Sequence, residues 1–214
     1  IVDTLTATGA KGILLSVPDI TAIPYFTTIP AKGLILDETE AAALSGLYAS
    51  SGISFAAGAN YFIIEDAQAP GGVRPARDGE LVLFSVPQDS LKCAGWGARK
   101  PLPDRYVLDA EEVNNIQTAT AAFNQVIYNA AQKHGLAYMD VGGYLRTLQA
   151  GIVYNGVDFS AAFVTGGAFS LDGIHLTPRG YALVANEMIR TINAQYGSTI
   201  APADVHKYDG VYFP

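Results

Sequence analysis

A carboxylate and an imidazole stand three residues apart in the segment Ser170-Leu-Asp-Gly-Ile-His-Leu-Thr-Pro-Arg-Gly-Tyr181. A neutral imidazole can accept a proton from a hydroxyl, and a carboxylate behind it fixes the tautomer and stabilises the imidazolium that forms. Asp172 and His175 therefore have the residue types of the base half of a catalytic triad. An isolated Asp-x-x-His is more often an aspartate that caps a turn beside a surface histidine, so the surrounding pattern has to decide.

A helix is expected to begin directly after this pair, because Thr177 is a good N-cap and Pro178 suits the first helical position. Gly197 is a plausible end for the helix. Between these residues, apolar side chains recur at the spacing of a helix packed on a core: Tyr181, Val184, Ala185, Met188, Ile189 and Ile192. Such a helix would hold His175 on a short, anchored loop.

The longer pattern Phe169-Ser-Leu-Asp-Gly-Ile-His-Leu-Thr-Pro-Arg-Gly-Tyr-Ala-Leu-Val-Ala-Asn186 resembles the last conserved block of the SGNH hydrolases, also called the GDSL esterase/lipase family. By this resemblance, Asp172 and His175 are the catalytic aspartate and histidine of a Ser-His-Asp triad. Residues 128–141 look like the helix and last core strand that precede the block. Residues 9–26 look like an earlier core strand and the loop after it, so the resemblance spans nearly the whole chain.

The departures from the family are informative as well. Neither a Gly-Asp-Ser nucleophile block nor a Gly-x-Asn-Asp block occurs, and the glycine block between them cannot be placed. In the family these segments supply the nucleophilic serine and the oxyanion-hole donors, and they precede the strand that here occupies Gly12 to Val17. The resemblance therefore implies that they lie upstream of Ile1. We expect this chain to be the C-terminal part of a serine ester hydrolase, inactive alone, with a small-molecule ester as substrate.

Two serines within the chain are weaker candidates for the nucleophile. Ser16 lies inside an apolar strand, where a buried hydroxyl bonded to the backbone is the expected state. Ser170 is only two residues from Asp172, and from there it would have difficulty reaching the far ring nitrogen of His175. The Gly-x-Ser-x-Gly elbow of other hydrolases does not occur either.

No metal and no cofactor is expected. The only histidines are His134, His175 and His206, and they do not form a dense ligand pattern such as His-Glu-x-x-His. His134 suits the C-terminal end of a helix, where it interacts with the dipole, and His206 suits a solvated tail. Cys93 lacks a clear partner and is expected to be structural rather than nucleophilic.

Composition limits the partners. The 214-residue chain has a net charge of -7 and a pI near 4.8, which argues against nucleic acid as a partner. No apolar run approaches the roughly 18 residues of a transmembrane segment. One cysteine leaves the compartment open, and only the family resemblance favours a secreted, periplasmic or surface-anchored protein. Asp19 and Asn155 could orient a substrate, although nothing in the sequence singles them out.

The order of elements predicts an α/β fold, a three-layer flavodoxin-like sandwich within a single domain over residues 1–214. Parallel strands are expected at about residues 12–17 and 137–141, with the site at their carboxyl ends. Capping patterns at Asp37 and Asp109 predict two helices, the second closed by Gly135. We interpret residues 30–109 as an insertion whose strand pair, 61–65 and 80–85 with a turn at 69–72, could cover part of the rim of the site.

Loss of neighbouring strands upstream would leave one edge of the sheet unpaired. We therefore expect the chain either to form a homodimer through that edge or to fold with the missing N-terminal segment bound. A second hypothesis, from another functional class, is a noncatalytic binding or assembly module that keeps the hydrolase scaffold. A Gly-Asp-Ser block upstream of Ile1 would favour the enzyme, and its absence from the complete gene would favour the module.

Overall fold

The chain is a mixed α/β protein in the computed structural model, which describes residues 1–211. It divides into two compact units, one of residues 1–24 with the chain from residue 117 onward, the other of residues 25–116. Helix α5 (Ala110–His134) begins in the second unit and ends in the first. Among the described helices, none combines the length and apolar character needed to cross a membrane.

A pair of parallel strands forms the sheet of the first unit. Strand β1 (Ile13–Leu15) lies beside β8 (Ala137–Met139), with Ile13 opposite Ala137 and Leu15 opposite Met139. This confirms the parallel pair expected from the sequence. Each strand is shorter than expected, although the Ser16 N–H still donates to the Met139 carbonyl oxygen at 3.0 Å.

Three further helices complete the first unit, and one of them packs against the sheet. They are α1 (Val2–Thr6), α6 (Val141–Ala150) and α7 (Pro178–Tyr196). Helix α7 contacts β8, and the Thr177 hydroxyl oxygen accepts the Gly180 N–H at 2.9 Å. Gly197 ends the helix in the left-handed conformation. The N-cap, first-turn proline and end of α7 are therefore confirmed.

Helix α6 and the hairpin after it are features that the sequence analysis did not predict. Strand β8 stops at Met139 because Asp140 caps α6, accepting the Gly143 N–H at 2.9 Å. A hairpin of β9 (Ile152–Tyr154) and β10 (Val157–Phe159) follows. Asn155 and Gly156 both have positive φ in its two-residue turn, as a type I′ turn requires. Asn155 is thus a turn residue.

The long helix α5 begins as the capping pattern predicts. The Asp109 side chain accepts the Glu112 N–H at 2.8 Å, and the Glu112 carboxylate accepts the Asp109 N–H at 3.0 Å. Two apolar side chains of this helix are largely exposed. Phe123 is 59% exposed and Val126 is 68% exposed.

The second unit consists of three small antiparallel pairs and short helices. The pairs are β2 (Leu34–Leu36) with β3 (Gly58–Asn60), β4 (Ile63–Glu65) with β5 (Val73–Pro75), and β6 (Leu81–Val82) with β7 (Val107–Leu108). The helices are α2 (Pro24–Thr27), α3 (Glu38–Leu47) and α4 (Gln88–Lys92). The first residue of α2, Pro24, is the last residue of the first unit's N-terminal segment. Asp37 and Glu40 form the expected capping box of α3.

The strand pair expected at 61–65 and 80–85 is wrong as a pair. Strands β4 and β6 lie within those ranges, but β4 pairs with β5 across the turn near residues 69–72, and β6 pairs with β7. Pairing with β5 is stabilised by Arg74, whose guanidinium bonds Asp66 at 2.5 Å and the buried Glu80 at 2.6 Å. Because Arg74 lies between Val73 and Pro75, strand β5 has no hydrophobic pattern from which it could be predicted.

Candidate active site

The segment from Ser170 to His175 forms a closed loop in the first unit. Its ends are joined by a β-bridge between Phe169 and Leu176, and the Ser170 N–H donates to the His175 carbonyl oxygen at 2.8 Å. Within the loop, Gly173 has a φ of 71°, a left-handed conformation that favours glycine. The start of α7 follows at once, so a rigid helix anchors the loop.

Asp172 and His175 contact each other within this loop. The His175 Nδ1 lies 2.7 Å from the Asp172 Oδ2. The other carboxylate oxygen, Oδ1, accepts the Ser170 hydroxyl at 2.6 Å and the N–H groups of Ile174 and His175, each at 2.9 Å. Both oxygens of the carboxylate are therefore occupied by donors of its own loop.

These hydrogen bonds favour the ionised form of the Asp172 carboxylate and, with it, one tautomer of a neutral His175 ring. The Ser170 hydroxyl first, then the His175 ring and two backbone N–H groups, hold the pKa of Asp172 well below the usual value of a carboxyl. An ionised carboxylate only accepts hydrogen bonds, so the His175 Nδ1 must carry the proton. The neutral ring then has its lone pair on Nε2, and the side chain is 69% exposed. The imidazole can therefore take a proton from a group outside the loop.

The two serines considered as nucleophiles are engaged in other contacts. Ser16 is 4% exposed, and its hydroxyl oxygen accepts the Val141 N–H at 2.9 Å while donating to Asp140 Oδ1 at 3.3 Å. This confirms a buried hydroxyl bonded to backbone. The Ser170 hydroxyl donates to the carboxylate, on the side of Asp172 away from the ring contact.

The remaining sequence candidates lie in separate places. His134, at the end of α5, contacts Asp3 and Thr6 of α1, so the helix dipole is not its only interaction. The His206 Nε2 lies 3.0 Å from the Asn155 carbonyl oxygen. Cys93 is exposed at the end of α4. Across residues 1–211, no three potential metal-ligating side chains are grouped closely enough to hold an ion.

A small apolar cavity of about 170 Å³ opens beside the carboxyl ends of the parallel strands. Its lining includes Ala22 and Ile23 from the loop after β1, Leu145 and Arg146 from α6, and Phe169, which directly precedes Ser170. Asp19 also lines it, but its Oδ1 accepts both the N–H and the hydroxyl of Thr21. The structure therefore gives Asp19 a turn-forming contact in addition to its place at the cavity.

The sheet of the first unit has an open edge. In a parallel pair, every second residue of a strand hydrogen-bonds the same neighbouring strand. Here the Gly12 carbonyl oxygen and the Ser16 N–H bond β8. The backbone groups of Ile13 and Leu15 thus point to the opposite edge, where no described strand pairs with β1. The next residue of that edge, Val17, is bonded by the side chain of Asn124 instead.

Sequence reasoning missed two contributors to this region, the Ser170 hydroxyl and the capping Asp140. A serine two residues before an aspartate is the available signal for the first, and an aspartate at the end of an apolar strand for the second.

In comparisons with known proteins, no family model, no curated protein and no solved structure matched this chain.

Proposed function

We propose that this chain carries the proton-transferring half of a serine ester hydrolase of the SGNH type, with His175 as general base and Asp172 as its partner. One observation carries the proposal: Asp172 Oδ2 contacts the Nδ1 of an imidazole whose side chain is 69% exposed. The residue types and the contact between Nδ1 and the carboxylate are those of the base half of a Ser-His-Asp triad, which supports the proposal.

In the proposed reaction, Nε2 of His175 takes the proton of a serine hydroxyl while the serine oxygen attacks the ester carbonyl carbon. Asp172 stabilises the imidazolium that forms. The imidazolium then gives its proton to the leaving alcohol oxygen as the carbon–oxygen bond of the ester breaks, and the acyl group remains on the serine. Water, deprotonated by the same nitrogen, releases the acid and restores the serine.

We infer that the attacking serine belongs to polypeptide outside this sequence. Two observations support this: Ser16 is buried and bonded to backbone, and the Ser170 hydroxyl is directed at Asp172. The oxyanion donors are assigned to the same polypeptide. Alone, the chain would lack the nucleophile and the groups that stabilise the tetrahedral intermediate, so it would not turn over esters.

The proposed complete fold is a three-layer flavodoxin-like sandwich in which further strands continue the sheet from β1. The open backbone groups of Ile13 and Leu15 support this, as does the exposed apolar flank of α5 at Phe123 and Val126. Open strand edges and large apolar patches are features that proteins usually cover. The completing segment, or failing that a second copy of the chain, would occupy this surface.

The test is turnover of a p-nitrophenyl ester by the complete enzyme and by its His175→Ala variant. The variant should lose activity by several orders of magnitude, as when a triad member is removed, yet unfold at nearly the same temperature because the side chain is largely exposed. His206→Ala, another exposed histidine, is the matched control and should keep full activity. Equal, measurable turnover in His175→Ala and wild type would refute the proposal, and no turnover by either protein would favour a noncatalytic module.

A further inference from the structure

The Asp172–His175 contact lies where solvent competes with it. The side chain of Asp172 is 46% exposed and that of His175 is 69% exposed. Ion pairs and hydrogen bonds between exposed side chains contribute little by themselves, because water replaces either partner and both side chains lose rotamer freedom. An imidazole held in one orientation at such a place therefore needs support from elsewhere in the loop.

Three donors supply that support at a single oxygen. Asp172 Oδ1 accepts two backbone N–H groups and one side-chain hydroxyl, and the hydroxyl contact is the shortest of the three at 2.6 Å. With Oδ1 occupied, Oδ2 is the oxygen turned to the imidazole. The carboxylate plane is thereby fixed relative to the loop.

The donor of that hydroxyl is itself held in place. The half-buried Ser170 donates its N–H to the His175 carbonyl oxygen at 2.8 Å, and its own carbonyl accepts the Gly173 N–H at 3.0 Å. Its backbone therefore closes the loop while its side chain orients the carboxylate. Among the groups bonded to Oδ1, it is the one that a substitution can remove without altering the backbone.

We propose that Ser170 is a positioning residue for the general base: its hydroxyl orients Asp172, and through Asp172 it keeps His175 in the tautomer with a bare Nε2. This inference rests on the proposed function for its catalytic consequence, but the orientation of the ring can be measured without turnover. Ser170 does not contact the reacting atoms in this role and is not a catalytic residue.

The experiment combines imidazole nitrogen NMR on this chain with kinetics on the complete enzyme. At a pH that keeps the rings neutral, the nitrogen shifts of His175 report its tautomer, and the chain has only three histidines to assign. Ser170→Ala should shift His175 toward the tautomer protonated on Nε2, and Ser170→Thr should restore the wild-type shifts. In the complete enzyme, Ser170→Ala should lower kcat about tenfold, as expected for one lost bond to a charged group, with KM unchanged.

Ser198→Ala is the matched control, because this half-buried serine also donates at 2.7 Å to a side-chain oxygen, that of Asn193. It should leave His175 unchanged. Should Ser170→Ala fail to fold, Ser170→Cys keeps the volume while offering only a weak donor and should show the same shift. An unchanged His175 tautomer in Ser170→Ala, or in Ser170→Cys if Ser170→Ala does not fold, would overturn the proposal even if His175→Ala abolished turnover. A shifted tautomer in an enzyme without esterase activity would leave the positioning role standing and remove the proposed function.

Discussion

The carboxylate of Asp172 accepts hydrogen bonds at both oxygens although nearly half of the side chain is exposed. Because water can partly replace the carboxylate behind the ring, we predict that Asp172→Asn retains more turnover than His175→Ala in the proposed complete enzyme. The amide also presents a donor where the ring needs an acceptor, so kcat should still fall well below wild type. Steady-state kinetics on an ester substrate would measure both, and an Asn variant as inactive as the Ala variant would contradict the prediction.

The same carboxylate predicts a pH dependence of stability. Its folded pKa lies below the usual carboxyl value, first because of the Ser170 hydroxyl and then because of His175 and two N–H groups. Such a group stabilises the fold above the unfolded pKa, and this contribution is lost as the pH falls through the folded pKa. The difference in unfolding free energy between wild type and Asp172→Asn should therefore be greatest near neutrality and shrink in acid. Urea denaturation across that range measures it, and a difference that grows in acid would contradict the assignment.

Asn124 connects helix α5 to the end of strand β1. Its Oδ1 accepts the Val17 N–H at 2.7 Å, and its Nδ2 donates to the Val17 carbonyl at 2.8 Å. We predict that Asn124→Ala lowers the unfolding free energy by about 1–2 kcal/mol, since two backbone groups lose their partner and water replaces it only in part. Urea denaturation measures this. Asn129→Ala, on the same helix and bonded only to the exposed Gln125, should cost less.

The sequence predicted those elements whose ends are set by local chemistry. Asp37 with Glu40, Asp109 with Glu112, and Thr177 with Pro178 each start a helix where expected, because capping is decided within one turn. The parallel pairing of β1 with β8 was also predictable, from two short apolar runs on either side of a helix. Helix α6 was missed because Val141 and two glycines after an apolar strand suggest a loop more than a helix.

Pairing between distant segments was harder to predict than the elements. Strands of two or three residues, such as β5 and β7, carry almost no periodicity, so the partners of β4 and β6 depend on contacts that a pattern does not show, such as that of Arg74 in β5 with Asp66 after β4. In the candidate site, the contact between Asp172 and His175 was expected from the longer pattern of residues 169–186, since Asp-x-x-His alone did not decide it. The bond from the Ser170 hydroxyl depends on the closed loop, which spacing alone does not reveal.

At the scale of the whole molecule, the first unit has features of an incomplete sheet. Its parallel sheet contains two described strands, whereas parallel sheets are stable when several strands are covered on both faces. Helix α5, whose Asn124 bonds Val17 after β1, leaves Phe123 and Val126 largely exposed. If the proposed serine lies on polypeptide that continues the sheet from β1, the same polypeptide would pair this open edge and stabilise the fold.

Amide hydrogen exchange tests that completion at three residues of one edge. We predict that the N–H groups of Ile13 and Leu15 exchange rapidly in this chain alone, since no described strand bonds them, and become protected in the complete protein. The Val17 N–H, already bonded by Asn124, should be protected in both and serves as an internal control. Rapid exchange of Leu15 in the complete protein would show that no strand pairs there.

The exposed flank of α5 gives the corresponding prediction for assembly. Phe123→Ser with Val126→Ser should change the stability of this chain by no more than about 0.5 kcal/mol, because more than half of each side chain is already exposed. The same pair should destabilise the complete protein, or shift a homodimer toward monomer, by removing the apolar surface that the partner covers. Light scattering after size exclusion and thermal denaturation of both proteins measure this, with Gln132→Ser, exposed on the same helix, as the control. If the double variant affects the complete protein no more than this control does, the completing segment must bind elsewhere.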